Sequence, residues 1–166
     1  MKMKENKGVT IIALIVTIVV LSIIAGIAIN SGAETIERAK LEELRTNMLL
    51  IQAKAREYVE EVDFKMGPTP DESKRVAVRQ EVYGKAGLLS TGNGGISSIP
   101  SDCYVVTDEL LETWGLGKIK LNKEENERYL IEFDETNLTV EVYNTIGFTV
   151  DDEVKYSLSE LDLVEL

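Results

Sequence analysis

The chain has 166 residues and a net charge of −11, with no histidine and a single cysteine, Cys103, which has no partner for a disulfide within the chain. The absence of histidine removes the commonest acid–base side chain and metal ligand, so an enzyme is the least favoured class of protein. Residues 102–166 hold 5 Lys and Arg against 17 Asp and Glu, and this acidic half disfavours binding to nucleic acid because phosphate backbones are anionic.

An apolar stretch dominates the N-terminal part of the chain. Val9 to Ile29 comprises 21 residues, and no residue from Val9 to Ala33 is charged. At ~1.5 Å per helical residue, this stretch is long enough to cross the ~30 Å hydrocarbon core of a bilayer. We therefore expect a single membrane-spanning helix near the N-terminus.

The charges that flank this stretch predict its orientation. Lys2, Lys4 and Lys7 precede it, which predicts a cytoplasmic N-terminus and an extracellular remainder, because lysines are retained on the cytoplasmic side. A cleavable secretory signal is an alternative interpretation. The small residues Ser31-Gly32-Ala33 would then provide a cleavage site before Glu34.

The junction between the basic segment and the apolar stretch carries a family resemblance. Lys7-Gly8 is followed at once by Val9-Thr10-Ile11-Ile12 and a long apolar helix. This arrangement resembles a type IV prepilin or pseudopilin, and most closely the variant found in Gram-positive bacteria. The resemblance implies that a prepilin peptidase cuts after Gly8 and methylates the new amine of Val9. It also implies that the helix remains in the mature protein and forms the core of a filament.

The resemblance further implies four segments and three kinds of partner. Residues 1–8 are a leader, 9–32 the transmembrane half of the N-terminal helix, 33–66 its amphipathic half, and 67–166 a small extracellular head. The implied partners are the prepilin peptidase, other pilin subunits and the membrane assembly platform.

Two positions depart from the family pattern. The family's usual glutamate, five residues after the cut, falls on Ala13, and its helix-kinking proline falls on Asn30. Without the glutamate, the amine of Val9 needs either a different subunit that does have the glutamate, or backbone carbonyls or hydroxyls such as Thr10. Close helix contact is expected at small residues with the spacing that suits membrane helices. These candidate assembly residues are Thr10, Ala13, Thr17, Ser22 and Gly26.

The helix is expected to continue past the apolar stretch to about Lys65. No proline or glycine occurs from Ala33 to Met66, and apolar residues recur there at steps of three and four, which predicts one apolar stripe docked on the rest of the chain. The stripe consists of Leu41, Leu44, Met48, Ile51, Ala55, Tyr58 and Val62. Gly67-Pro68 should stop the helix.

A second helix is predicted to follow. Thr69 is a suitable cap, Pro70 suits the first helical position, and Glu72 completes a capping box. The helix should run to about Ala86 and end at Gly87. Residues 88–102 form a loop, followed by an extended piece from Cys103 to Val106. Thr107 should then cap a short helix that runs through Trp114 and ends at Gly115 and Gly117.

The C-terminal part reads as antiparallel strands. Tyr129–Asp134 and Leu138–Asn144 share one apolar face only if Phe133 lies opposite Val140, which places Glu132 across from Glu141. That register needs Thr136-Asn137 at the tip of the turn, with Asn137 suited to left-handed backbone. A third strand is expected near Val154–Leu158.

The predicted fold class is α+β, with a long N-terminal helix packed against a small antiparallel sheet. The turn Asp151-Asp152-Glu153 is a weak candidate for calcium, since hard cations prefer carboxylate oxygens, and a solvated turn is the favoured interpretation. No other cofactor is expected. Three functions remain open: a subunit of a type IV pilus-like or pseudopilus filament, an extracellular binding or sensor domain on an uncleaved anchor, and a secreted protein cut before Glu34.

Overall fold

The computed structural model of the protein describes residues 7–68, 71–88 and 90–164, except for the side chains of residues 7–13 and 23–34. Four helices and four strands follow one another along this part of the chain. They are α1 (Lys7–Met66), α2 (Glu72–Ala86), β1 (Tyr104–Val106), α3 (Asp108–Thr113), β2 (Tyr129–Asp134), β3 (Thr139–Val150), β4 (Glu153–Ser157) and α4 (Leu158–Leu161).

The α+β class is confirmed. The four strands form one antiparallel sheet in the order β1-β2-β3-β4. The chain divides into two compact units, residues 1–40 and residues 41–166, and the second is called the head unit below. In the first unit, residues 7–40 are helical throughout.

The part of α1 within the head unit supplies one side of its core. Of the predicted stripe, Leu41, Met48, Ile51, Ala55 and Val62 are buried, and Leu44 and Tyr58 are partly buried against them. The helix ends at Met66, and Gly67 takes a positive φ of 72°, a conformation that glycine adopts without strain. The predicted stripe and its stop signal are therefore confirmed.

The start of α2 differs from the prediction. The cap is Asp71 rather than Thr69, and its carboxylate accepts a hydrogen bond from the backbone N–H of Lys74 at 2.8 Å. An aspartate at this position satisfies a free N–H of the first turn directly. Thr69 and Pro70 lie outside the described residues. The C-terminal end of α2 agrees with the prediction, since Gly87 ends the helix with a φ of 84°.

The next segment follows the predicted order. Thr107 caps α3, its hydroxyl accepting a hydrogen bond from Leu110 N–H, and Gly115 follows the helix with a φ of 74°. The extended piece before it is strand β1, which pairs with β2 so that Val105 lies opposite Leu130.

The hairpin of β2 and β3 has the predicted register, with Phe133 opposite Val140 and Glu132 opposite Glu141. Its turn differs, because the left-handed residue is Leu138, with a φ of 54°, and not Asn137. The Asp134 carboxylate explains the difference, since its Oδ1 accepts hydrogen bonds from the N–H groups of Thr136 and Asn137. This Asx-type turn moves the positive φ one residue further along.

Strand β3 is longer than predicted and bends at a bulge. The register between β3 and β4 shifts between Tyr143 and Phe148, where buried Asn144 accepts hydrogen bonds from the N–H groups of Ile146 and Gly147. The third predicted strand is β4, but it ends at Ser157 rather than Leu158. Ser157 caps α4 in a capping box with Glu160.

Candidate functional site

The predicted processing site lies at the start of α1. The backbone of Lys7, Gly8 and Val9 is helical, but their side chains lie outside the described residues. The same holds for the candidate assembly residues Thr10, Ala13 and Gly26. Their roles in cleavage and helix packing stay predictions.

Thr17 and Ser22 are the two candidate assembly residues whose side chains are described, and both are exposed. The Thr17 hydroxyl donates to the carbonyl of Leu14 at 2.8 Å, and the Ser22 hydroxyl donates to the carbonyl of Ile18 at 2.8 Å. Because each hydroxyl has a partner in its own helix, neither needs water or another chain to satisfy it. Both positions can therefore be buried in an apolar environment at low cost.

The side chains around these two residues form an apolar surface on all sides of the helix. Between residues 14 and 21, every residue except Thr17 is a large hydrophobic, and the exposed fractions lie between 47% and 64%. Eight successive residues cover two full turns, so no face of this segment is polar. Among the residues that the structure describes, no helix is both long enough and apolar enough to cross a bilayer.

The head unit contains an open polar cleft of about 560 Å³. Its walls are α2, the residues around the start of β1, and the end of β2 with the following turn. The lining side chains are mostly charged or aromatic. They include Arg75, Arg79, Tyr83, Asp102, Tyr104, Phe133 and Glu135.

An ion pair closes one wall of the cleft. Arg79 approaches Glu135 with two nitrogens, at 2.7 Å from Nε to Oε1 and 2.8 Å from Nη2 to Oε2. The Tyr83 hydroxyl donates to Glu135 Oε1 at 3.0 Å. Burial, and then the Glu135 carboxylate, raise the pKa of Tyr83, so this phenol remains a hydrogen-bond donor. The three side chains tie α2 to the β2–β3 turn.

Aromatic rings form the floor beside this ion pair. Tyr83 stacks on Phe133 with ring centroids 4.5 Å apart, and Tyr104 meets both rings edge-on at 5.3 and 5.5 Å. The cleft thus offers charge and aromatic surface for a small polar group. Cys103 does not line the cleft; it is fully buried, and burial raises the pKa of its thiol to about 12, so the thiol is not activated as a nucleophile.

The three carboxylates proposed for calcium lie at the turn between β3 and β4. Asp151 and Asp152 have positive φ values of 50° and 65°, and Glu153 pairs with Lys155 at 2.6 Å. Within the described ranges, no group of three His, Cys, Asp or Glu side chains is arranged to hold a metal ion. Asp151, Asp152 and Glu153 are all exposed.

Sequence reasoning missed the long-range pairs of the head unit. Arg79 and Glu135 are separated by 56 residues, and no local pattern connects them. The signal that was present is the spacing of Arg75, Arg79 and Tyr83 on one side of α2, at steps of four.

Searches against models of protein families, curated proteins and solved structures found no match for this chain.

Proposed function

We propose that this chain is a structural subunit of a type IV pilus-like or pseudopilus filament. In this proposal a prepilin peptidase cuts after Gly8, and the protein is held in the membrane by its apolar N-terminal helix until it is assembled. The filament is built through that helix, with the head unit on its outside. The protein is not an enzyme, and its partners are the peptidase, other pilin subunits and the assembly platform.

The observation that carries the proposal is the apolar surface of residues 14–21. Seven large hydrophobic side chains are exposed on all sides of one helix. An apolar surface of this kind needs lipid or other protein to cover it, because its exposure to water is unfavourable. A helix that leaves the bilayer and enters the core of a filament exchanges one apolar environment for another.

The buried core of the head unit supports the same proposal. Its larger buried cluster begins at Leu41 and includes side chains from the outer half of α1, α2, the sheet and α4. Every residue of this cluster lies in the head unit. The proposal therefore assigns the apolar N-terminal segment to contact with lipid and with neighbouring subunits.

The experiment is to determine the mature N-terminus by intact-mass measurement on cells that contain an active prepilin peptidase. The proposal expects a chain that starts at Val9 with a methylated amine. A chain that starts at Met1 would support the uncleaved membrane anchor instead, and one that starts at Glu34 would support a secreted protein.

A variant pair tests the cleavage position. Gly8→Val should block cutting, because the added side chain obstructs the peptidase at the bond. Glu5→Val places the same side chain three residues earlier and should leave cutting intact. Loss of cutting in both variants would show that the leader as a whole, and not the residue at the bond, is being recognised.

A further inference from the structure

The edge of β2 that faces β1 is only partly covered. Strand β1 is short, and its register with β2 begins with Tyr104 opposite Ile131. The same register, if it continued, would bring Asp102 opposite Phe133, but Asp102 lies in a turn before β1. Among the described residues, the edge of β2 beyond Ile131 therefore has no strand beside it on this side.

The backbone groups that face this uncovered edge belong to Phe133. The carbonyl of Arg128 accepts a hydrogen bond from Thr145 N–H of β3 at 3.0 Å, so the backbone of Arg128 faces β3. Because the backbone groups of successive residues point to alternate sides of a strand, Glu132 and Asp134 also face β3, and Phe133 faces the uncovered side. No described residue of the turn before β1 forms a backbone hydrogen bond with Phe133.

The uncovered edge opens into the polar cleft of about 560 Å³. Side chains from both faces of β2 line this cleft, as expected for a cleft beside a strand edge. Phe133 is on the face towards α2, where it stacks on Tyr83, and Glu132 and Asp134 are on the other face. A chain segment in the cleft could therefore reach the backbone of Phe133 and the side chains on both faces.

The carboxylates beside the uncovered edge have no cationic partners. Glu132 accepts a hydrogen bond from the Tyr143 hydroxyl at 2.7 Å, and Asp134 accepts hydrogen bonds from the N–H groups of the next turn. Glu141 lies opposite Glu132 on β3, and Asp102 lines the cleft at the start of β1. Within the described ranges, none of these four carboxylates forms an ion pair.

The opposite wall of the cleft does not compensate for this charge. Arg79 is paired with Glu135, and the other guanidinium, that of Arg75, shares the wall with Glu72. All the side chains that line the cleft together hold five carboxylates against two guanidinium groups. The cleft therefore favours a cationic ligand over an anionic one.

We propose that the uncovered edge of β2 binds an extended basic segment of another protein, which adds to the sheet beside Phe133. One residue of the segment exchanges two hydrogen bonds with the backbone of Phe133, and its apolar side chain meets the rings of Phe133 and Tyr104. The adjacent residue is a lysine or arginine that lies opposite Asp134 and within diagonal reach of Glu132. The inference goes beyond the proposed filament function and does not rest on it.

The two outer edges of the sheet are less suited to an added strand. On the outer side of β1, the N–H of Val105 already donates to the carbonyl of Ser90 at 2.9 Å. Strand β4 carries Lys155 paired with Glu153 at 2.6 Å, and charged side chains on an edge strand disfavour further pairing. The cleft beside Phe133 is therefore the place where an added strand finds both free backbone groups and complementary charge.

Amide exchange measured by NMR on the full chain in detergent micelles tests the proposed site. The probe is the blocked peptide acetyl-Thr-Val-Lys-Val-Thr-amide. At about ten times its dissociation constant, the peptide should slow exchange of the Phe133 amide about tenfold, because only the unbound fraction exchanges. The amides of Glu132 and Asp134 face β3 and should change little. An absence of saturable binding, or binding without slower exchange at Phe133, would overturn the proposal.

Three matched ligands separate strand addition from simple charge attraction. The first has glutamate in place of lysine, the second is the lysine peptide with both valine nitrogens methylated, and the third is acetyl-lysine amide. Each should bind about tenfold more weakly than the lysine peptide, because each lacks either the positive charge or the backbone hydrogen bonds. Equal binding of the second or third ligand would overturn strand addition, and equal binding of the first would overturn the basic partner.

A variant pair tests the carboxylates. Glu132→Gln with Asp134→Asn removes two charges and keeps oxygen acceptors for Tyr143 and for the turn, and it should weaken binding of the lysine peptide about fivefold. Glu124→Gln with Glu125→Gln makes the same change of net charge on an exposed loop and should leave binding unchanged.

An equal loss of binding in both variant pairs would overturn the assignment of the carboxylates. Fluorescence of Trp114 verifies that each variant is folded. The series of ligands uses the unchanged chain, so it decides between the outcomes even where a variant does not fold. The mature N-terminus is independent of all these measurements, so failure here leaves the proposed filament function standing.

Discussion

Arg45 of α1 donates a hydrogen bond from Nε to the backbone carbonyl of Leu161 at 2.9 Å, across 116 residues of sequence. The same guanidinium also hydrogen-bonds to the carbonyl of Val164 and pairs with Glu42 at 2.8 Å. The Leu161 carbonyl also accepts a backbone hydrogen bond from Val164 N–H at 3.1 Å. Arg45 adds side-chain donors to the carbonyls of Leu161 and Val164 and thereby fixes the C-terminal segment to α1.

Replacement of Arg45 should measure this attachment. Arg45→Ala is expected to lower the free energy of unfolding by about 2 kcal/mol, since a hydrogen bond to a charged group is worth about 1.5–3 kcal/mol. Urea unfolding of the full chain in detergent micelles, followed through the single Trp114, provides the measurement. The control is Arg56→Ala, which removes an exposed arginine further along α1 and should change the free energy of unfolding little. An equal loss in both variants would contradict a specific role for Arg45.

The bulge in β3 makes a second prediction. Gly147 has a φ of 68°, and a Cβ at this position would lie 2.5 Å from the backbone oxygen of Lys155. Gly147→Ala should therefore destabilise the head by more than the backbone strain of about 1 kcal/mol that a positive φ costs an L-residue. Gly95→Ala is the control, because Gly95 has a φ of 84° but no atom within 4 Å of the added carbon. The difference between the two losses in urea unfolding isolates the clash, and equal losses would argue against it.

These two sites show where sequence reasoning succeeds and where it ends. Gly87, Thr107 and the register that places Phe133 opposite Val140 were predicted because each depends on a few adjacent residues or on period-two alternation. The partner of Arg45 depends on how the chain returns to α1 after 116 residues, and no local pattern carries that information. The turn after β2 was predicted in place but not in detail, because the Asp134 carboxylate competes for the backbone N–H groups.

Of the two candidate sites, the N-terminal segment could be predicted from the sequence and the cleft could not. The apolar stretch and the Lys7-Gly8-Val9 junction are read from the sequence itself, and the structure adds the exposure of residues 14–21. The cleft beside Arg79 and Glu135 was not foreseen, because its walls come from α2 and from strands that follow much later in the chain. Its residues meet only when the sheet has formed.

The capping box of α4 predicts a dependence of stability on pH. Burial acts to raise the pKa of Glu160, but hydrogen bonds from Ser157 and from Tyr156 N–H outweigh it and lower the pKa below the ordinary value of 4.5. A carboxylate whose folded pKa is depressed stabilises the fold above its unfolded pKa, and this contribution is lost as the pH falls through the folded pKa. Glu160→Gln should therefore weaken the head at pH 7 and flatten the loss of stability below pH 4.5.

Urea unfolding at a series of pH values measures the slope of the free energy of unfolding against pH. Glu109→Gln is the control, because Glu109 is an exposed glutamate of α3 without a side-chain partner among the described residues. It should leave the slope unchanged. A parent protein and a Glu160→Gln variant with the same slope below pH 4.5 would show that the capping box does not contribute to the acid sensitivity.

The last prediction concerns the part of α1 that packs in the head core and the apolar part that precedes it. A chain that begins at Ala33 keeps the buried stripe from Leu41 to Met66 and should be soluble and cooperatively folded. A chain that begins at Gly67 loses this stripe, so the apolar side chains of the sheet and of α2 that pack in the same cluster would face water. Exposed apolar surface of that size drives association, and we expect this shorter chain to aggregate. Size-exclusion chromatography and thermal unfolding compare the two chains. A chain from Gly67 that is as stable as the chain from Ala33 would mean that the outer half of α1 is not part of the head core.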